Sequence, residues 1–407
     1  MNLIVGFAAA CCALSVAYYL LSTAIGLRFA RRAAQLPGSS PKIAPRLAVL
    51  KPLHGSDDYL ADNLVSYLEV DYSKVDFVFG VSDYEDPAAS VVVALKPRYP
   101  FRHITLNIGE RPNCANRKVA KLIEMAQRVP RAEILVLSDA DVAVERDHLW
   151  RLVNELEADP ELGLVTCLYR AKAGGGMVSR LAALFVNTDF VPLIMISKTI
   201  EPMRYAMGAT IAIRREALAS IGGFTRVKDL LADDYYLGKF ASDQGYKIGL
   251  SSSIVTVRTD EPDFTAFWNH QLRWMRTYRN TRPISVATIV LHGPFWASML
   301  LLLTNCSKLA LTVFAAVVAV RILTARLQIS QVLGLPEQRN DSWLTPVKDL
   351  VMTAAWVASL LSNKVLWAGR RLRVRSDGTM EEIVSSPVVG WPGPSRTAAI
   401  DQRHSGD

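Results

Sequence analysis

The sequence predicts an α/β domain built on a parallel sheet and held at both ends by membrane-type segments. Three observations carry this. Short apolar runs alternate with helical patterns between residues 46 and 168, the first 27 residues hold no charged side chain, and further apolar segments follow residue 285. With 407 residues, the chain divides into an anchor over 1–30, a soluble domain over 42–282, a membrane region with two or three hydrophobic segments over 284–370, and a tail over 371–407. The apolar ends leave about 250 residues for the soluble part, the size of one domain.

The N-terminal run ends in Arg28, Arg31 and Arg32. It exceeds the roughly 20 residues needed to cross a bilayer and lacks the leading basic residues of a secretory signal. It therefore reads as an uncleaved anchor whose C-terminal end faces the cytoplasm. The formal net charge is +8, and because the arginines crowd beside apolar stretches, an anionic lipid surface is favoured over nucleic acid as their partner. Five cysteines without CxxC spacing support neither a zinc site nor a disulfide framework, which fits a reduced, cytosol-facing domain.

Strands are predicted at Arg46 to Leu50, Asp76 to Val81, His103 to Ile108, Ile134 to Ser138 and Leu162 to Leu168, with helices over Asp58 to Glu69, Pro87 to Lys96 and Asn116 to Arg128. Ligands in such sheets bind beyond the carboxyl ends of the strands, where Asp86 and Asp139 fall. No GxGxxG or GxxxxGK[ST] loop is present, which removes the usual dinucleotide and P-loop chemistries. Leu181 to Ser197, apolar but holding Asp189 and Pro192, reads as core or as an interfacial segment that admits a lipid.

Four signatures follow one another in order. Asp86 stands in Val81-Ser-Asp-Tyr-Glu-Asp-Pro87. Asp139-Ala-Asp141 closes an apolar strand, and in an extended segment residues two apart project to one side, so both carboxylates are expected to hold one divalent cation, Mg²⁺ or Mn²⁺, with diphosphate oxygens. Asp233-Asp234 opens a predicted helix. One Asp there reads simply as an N-cap, but two adjacent carboxylates raise one pKa, which suits a general base, assigned to Asp234 with Asp233 in support. Gln271-Leu-Arg273-Trp274 lies in a basic amphipathic helix over Phe264 to Arg282. Most of its arginines read as lipid-facing, while Arg273 beside Trp274 is expected to meet a leaving diphosphate.

In the C-terminal region, Val286 to Leu303, Leu309 to Ala325 and Leu350 to Gly369 are apolar enough to insert. His292 and Pro294 interrupt the first, which is read as re-entrant, and Arg321 and Lys364 are read as snorkelling. The run Arg370-Arg-Leu-Arg-Val-Arg375 argues for a cytoplasmic C-terminus, and the last twenty or so residues read as disordered.

Together, Leu50-Lys-Pro-Leu-His-Gly55, Val81-Ser-Asp-Tyr-Glu-Asp-Pro-Ala88, Ser138-Asp-Ala-Asp141, Ala232-Asp-Asp-Tyr235 and His270-Gln-Leu-Arg-Trp274 resemble the D, D, D, (Q/R)xxRW set of ceramide glucosyltransferases and their bacterial relatives, including hopanoid-associated glycosyltransferases. The resemblance runs from about residue 47 to residue 282. It implies a GT-A fold, a UDP-sugar donor, a divalent metal, inversion at the anomeric carbon and a membrane-lipid acceptor at a bacterial inner membrane. It implies nucleotide binding by Asp86, with Asp83 as second candidate, metal and diphosphate binding by Asp139, and the base role for Asp234. Arg273 and Trp274 match the closing motif, and Lys118 falls in a lysine-bearing loop near the diphosphate. Two departures stand out: His270 occupies the Gln/Arg position, and Asp189 stands where the sphingolipid-type enzymes carry a histidine. A processive polysaccharide synthase shares the motif set, and a non-catalytic scaffold keeps the fold. The sugar, the lipid and the oligomeric state are left open.

Overall fold

The computed structural model describes residues 2–35, 44–367 and 369–383. The expected disordered tail and the expected domain start at residue 42 lie outside the described residues. The chain runs α1 (Asn2–Gln35), β1 (Leu47–Pro52), α2 (Leu60–Leu68), β2 (Val75–Val81), α3 (Pro87–Leu95), β3 (His103–Ile108), α4 (Arg117–Gln127), β4 (Ile134–Ser138), β5 (Val142–Ala143), α5 (His148–Ala158), β6 (Leu162–Thr166) and β7 (Tyr169–Ala173). There follow α6 (Gly176–Phe185), a π-helical turn (Val186–Phe190), α7 (Val191–Ile200), β8 (Thr210–Arg214), α8 (Arg215–Ser220), α9 (Asp233–Asp243), β9 (Lys247–Leu250), β10 (Val255–Thr259) and α10 (Phe264–Thr281). Last come α11 (Gly293–Leu303), α12 (Lys308–Leu327), α13 (Thr345–Ser359), β11 (Lys364–Trp367), β12 (Arg370–Val374) and β13 (Met380–Glu382).

The central sheet has seven strands in the order β3-β2-β1-β4-β8-β6-β9. The β3, β2, β1 and β4 ladders are parallel, and β8 runs antiparallel to both its neighbours. Every residue of β1 and β4 is buried, as expected where helices cover both faces and each enclosed Leu, Val or Ile contributes about 1.5–3 kcal/mol. The parallel strands therefore release their chain ends at one edge. There the loops after β1, β2 and β4 meet the segment that enters β8.

Among the described residues, three helices are long and apolar enough to span a bilayer, Leu3–Gln35, Gly176–Ile200 and Lys308–Val332. The second is 72% buried within the protein against 28% for the other two, so it serves as a wall of the catalytic domain. A 3-10 stretch, Pro283–Leu291, meets α11 at a 58° bend beside His292. Leu350 to Gly369 is not one segment: α13 ends at Ser359 and the chain turns into a β-strand at Lys364. Arg370 to Val374 lies in the sheet β11-β12-β13, packed on the catalytic domain.

Arg321 does not snorkel. It is 1% exposed, and its guanidinium holds Asp349 of α13 (Nε–Oδ2 2.8 Å, Nη2–Oδ1 2.9 Å) and Asp189 of the π turn (2.5 Å). Lys348 completes the group, donating to both Asp189 oxygens at 2.6 Å and to Asp349. A charge enclosed among apolar helices is tolerated when paired, and here two cations meet two carboxylates.

Candidate active site

One cavity of about 1340 Å³ opens at the carboxyl edge of the sheet and runs to the apolar helices α1, α7 and α13. Its polar end holds Lys118, Asp139, Asp141, Asp233, Asp234, His270, Arg273 and Trp274; its apolar end holds Tyr18, Phe190, Ile194, Leu291 and Trp356. Nearly all the side chains expected from the sequence are thus brought together.

Asp139 and Asp141 do not sit in an extended segment. Val142 N–H donates to Asp139 C=O at 3.3 Å, so the pair shares the cavity through a tight turn. Beneath the turn lies Lys51, fully buried, whose ammonium donates to Ser138 Oγ (3.2 Å), Asp139 C=O (2.7 Å) and Val142 C=O (3.1 Å). Burial pulls the Lys51 ammonium down to about 7 against the opposing pull of Asp141 and Asp139. Burial and the neighbouring Asp139 raise the Asp141 carboxyl to about 6. Asp139 and the raised Asp141 carboxyl form a donor set that a hard divalent cation would relieve. Among the described residues no group of three or more His, Cys, Asp or Glu is arranged around one point. The fit is therefore to a cation that takes its remaining ligands from water and from a bound diphosphate.

Lys118, in the first turn of α4, bridges the acidic groups, with its ammonium 2.6 Å from Asp139 Oδ1 and 3.5 Å from Asp233 Oδ2. Burial alone would lower it, but Asp139, Asp233 and Asp234 outweigh that and hold its proton firmly. Asn116 fixes this corner by capping α4 on Val119 N–H (3.1 Å) while donating to Asp233 Oδ1 (3.2 Å).

Neither Asp233 nor Asp234 caps α9, whose N-cap is Ala232. Burial, then Asp233, raises Asp234 to about 6, and Asp233 is itself raised by burial. A Cβ on Gly208 would stand 3.0 Å from Asp234 Oδ2 and 3.5 Å from Asp139 Oδ2, so both carboxylates face this glycine. One turn along α9, a Cβ on Gly238 would meet the Ala206 backbone nitrogen at 2.3 Å. That close approach seats the helix and aims Asp234 into the cavity.

On α10, Arg273 faces the same space, its pKa lowered by burial against the pull of Tyr278 and Asp139. Trp274 packs edge-on to His270 (5.0 Å between ring centres) and against Phe185 (5.6 Å). His270 is held by Glu261 at 2.6 Å, so the histidine at the Gln/Arg position anchors the tryptophan. The neighbouring arginines do not face lipid as expected. Arg276 and Arg279 donate to the backbone of Lys364 and of Ser359 and Ser362, and Arg282 pairs with Glu201.

The two aspartates expected at the nucleotide lie outside the cavity lining. Asp83 is exposed. Asp86 spends its oxygens on Gly55 N–H (2.9 Å), Ala88 N–H (3.0 Å) and His54 Nδ1 (3.2 Å), which caps α3 and ties the loop after β1 to the loop after β2. The sequence reading missed Lys51, Gly208, Tyr278, Lys348 and Asp349. A lysine inside the buried run Leu47–Pro52 and a Lys-Asp pair at the head of an apolar helix were the available signals.

A family model described as Glycosyl transferase family 21 matches residues 7–380. Over 232 residues the chain is 22% identical to ceramide glucosyltransferase 3 of Caenorhabditis elegans, covering 57% of this chain and 50% of that protein. It is 18% identical to a poly-beta-1,6-N-acetyl-D-glucosamine synthase of Staphylococcus aureus, covering 56% and 53%. The chain spans about half the length of the curated relatives it matches. Among solved structures, a mannosyltransferase from Pyrobaculum calidifontis in complex with GDP-Man and Mn²⁺ aligns at 21% identity and a TM-score of 0.49, covering 87% of this chain and 99% of the other. With its match running through nearly the whole described chain, the protein belongs to glycosyl transferase family 21.

Proposed function

We propose that the protein is an inverting, metal-dependent glycosyltransferase of the GT-A type. It moves glucose or N-acetylglucosamine from a UDP-sugar to a hydroxyl of a membrane lipid, a ceramide-like sphingolipid or a hopanoid, and forms a β-glycolipid on the cytoplasmic face. The observation that carries this is the single cavity joining the carboxylate-rich end to an apolar wall of Tyr18, Leu291 and Trp356. A donor diphosphate suits the first end and a lipid tail the second.

Asp234 takes the proton of the acceptor hydroxyl, whose oxygen bonds to the anomeric carbon as the bond to the UDP oxygen breaks on the opposite face. Its raised pKa, about 6, leaves it ionised at neutral pH yet basic enough to accept that proton. Lys118 and Arg273 meet the charge that develops on the departing diphosphate. A divalent cation at Asp139 and Asp141 would supply Lewis-acid neutralisation of the same charge. Asp233 holds Lys118 in place beside Asp139.

The test is mass spectrometry of lipids after membranes containing the protein are incubated with UDP-glucose or UDP-N-acetylglucosamine, Mg²⁺ or Mn²⁺, and ceramide or polyol-hopanoid acceptors. A lipid heavier by one hexose or N-acetylhexosamine supports the reading. Long polymer without glycolipid moves the assignment to a polysaccharide synthase, and no product from folded protein moves it to a scaffold.

A further inference from the structure

The C-terminal sheet β11-β12-β13 returns from the membrane region and docks beside the polar end of the cavity. Its small core, Val365, Leu372, Val374 and Met380, packs on Leu231, with Ala115 and Trp367 at the edge. Met380 N–H donates to Asp229 C=O (2.8 Å) and Leu231 N–H to Gly378 C=O (3.2 Å). These bonds tie the sheet to the loop that leads directly into Asp233 and Asp234. The same loop is stitched to the head of α4, since Asp229 Oδ1 accepts from Ala115 N–H (2.9 Å) and Lys228 C=O from Asn116 N–H (2.9 Å). Arg276 of α10 holds Lys364 C=O. The elements that carry Lys118, Asp234 and Arg273 therefore all rest on one sheet.

Two of the sheet's side chains, Trp367 and Arg370, line the cavity together with Arg117 and Lys118. Arg370 is held in place rather than free to swing: Nε donates to Glu382 Oε1 (3.1 Å), Nη2 to Glu382 Oε2 (2.5 Å), and Nη1 to Ala115 C=O (3.2 Å). A guanidinium has five N–H donors, and these bonds use three, leaving one on each terminal nitrogen. Two such donors form a fork suited to a phosphate group. The guanidinium also sits at Ala115, next to the loop whose Lys118 contacts Asp139.

We propose that the C-terminal sheet is a wall of the donor site and that Arg370 binds the donor's diphosphate, pre-aimed by Glu382. The proposal rests on the UDP-sugar reading above. Arg370→Ala then removes a charge-assisted contact to phosphate while leaving the nucleoside untouched.

The experiment is calorimetry of UDP with Mn²⁺ binding to the full-length protein in detergent, with uridine run as a competitor. Arg370→Ala weakens UDP by about tenfold or more, the scale of one lost bond between charged groups, and leaves uridine unchanged. Glu382→Gln gives a smaller loss in the same direction. Gly378→Ala serves as a second route, because a Cβ there would stand 2.4 Å from Tyr236 Oη. It displaces the sheet without touching a lining residue and should weaken UDP as well. Unchanged UDP binding by Arg370→Ala, or equal losses for UDP and uridine, overturns the proposal alone. A wild type that binds neither UDP nor uridine overturns the donor reading and this proposal together.

Discussion

The two ends of the cavity use buried charge in opposite ways. At the apolar end, Asp189, Arg321, Lys348 and Asp349 cancel one another in close pairs, Arg321 gripping Asp349 with two nitrogens. At the sheet end, Asp139, Asp141, Asp233 and Asp234 face a cavity with Lys118 in contact and Lys51 below. These carboxylates lie close together, an arrangement that a divalent ion would relieve, and Arg273 stands ready for the anion such an ion would bring. Charge balanced within the protein reads as architecture, and charge left unbalanced in a cavity reads as a site for something not yet bound.

The largest effect should come from unbalancing the sheet end further. Asp139→Asn is expected to lower kcat/KM by about 10²–10³, the scale for losing one group that stabilises developing charge, while the protein stays folded. Activity close to wild type would remove Asp139 from the metal-diphosphate role. At the apolar end the expected loss is in stability. Asp349→Leu leaves Arg321 and Lys348 to share Asp189 and should cost about 3–5 kcal/mol in detergent denaturation, whereas Arg321→Met with Asp349→Leu should cost less than the single change, because the Lys348–Asp189 pair remains. A double variant worse than the single would mean that the pair does more than cancel charge.

A smaller effect lies in pH. Asp234 is raised to about 6 from 3.8, so the rising limb of kcat/KM should be centred near pH 6, and activity should fall as the base gains its proton below that. The same shift means that the folded state binds this proton more tightly than the unfolded chain. Its stabilising contribution is full below about 4 and is lost as pH rises through about 6. A limb centred near 4 would show an unperturbed carboxylate. The smallest change is expected at the anchor of Trp274: His270→Gln should keep most activity, while His270→Ala loses an aromatic contact worth about 0.5–1.5 kcal/mol.

The sheet was legible because β1, β2 and β4 are short buried runs closed by turn residues, and observed and expected bounds agree closely for β1 to β4. Asp234 and Arg273 were legible as motif residues, since adjacent carboxylates and an Arg-Trp pair have few other reasons to occur together. For Asp86 the sequence showed only one of two readings, because a carboxylate after a strand reads equally as ligand or helix cap, and the bonds to Gly55 and Ala88 add the cap. Arg321, Arg276 and Arg279 misled for a related reason. Next to apolar sequence an arginine reads as lipid-facing, and its partners, Asp349 and the carbonyls of residues 359–364, lie dozens of positions away. The C-terminal sheet was hidden because the apolar run 350–369 spans both the end of a helix and the strand β11, and hydropathy does not separate them.

The central claim is that Asp234 deprotonates a lipid hydroxyl beside a bound donor. It is tested most directly by comparing wild type with Asp234→Asn in the same purified preparation, for UDP-sugar affinity and for glycolipid formed per enzyme. The account predicts unchanged donor affinity with turnover lowered by about 10²–10⁴. Turnover retained, or donor affinity lost together with turnover in a folded protein, would contradict it.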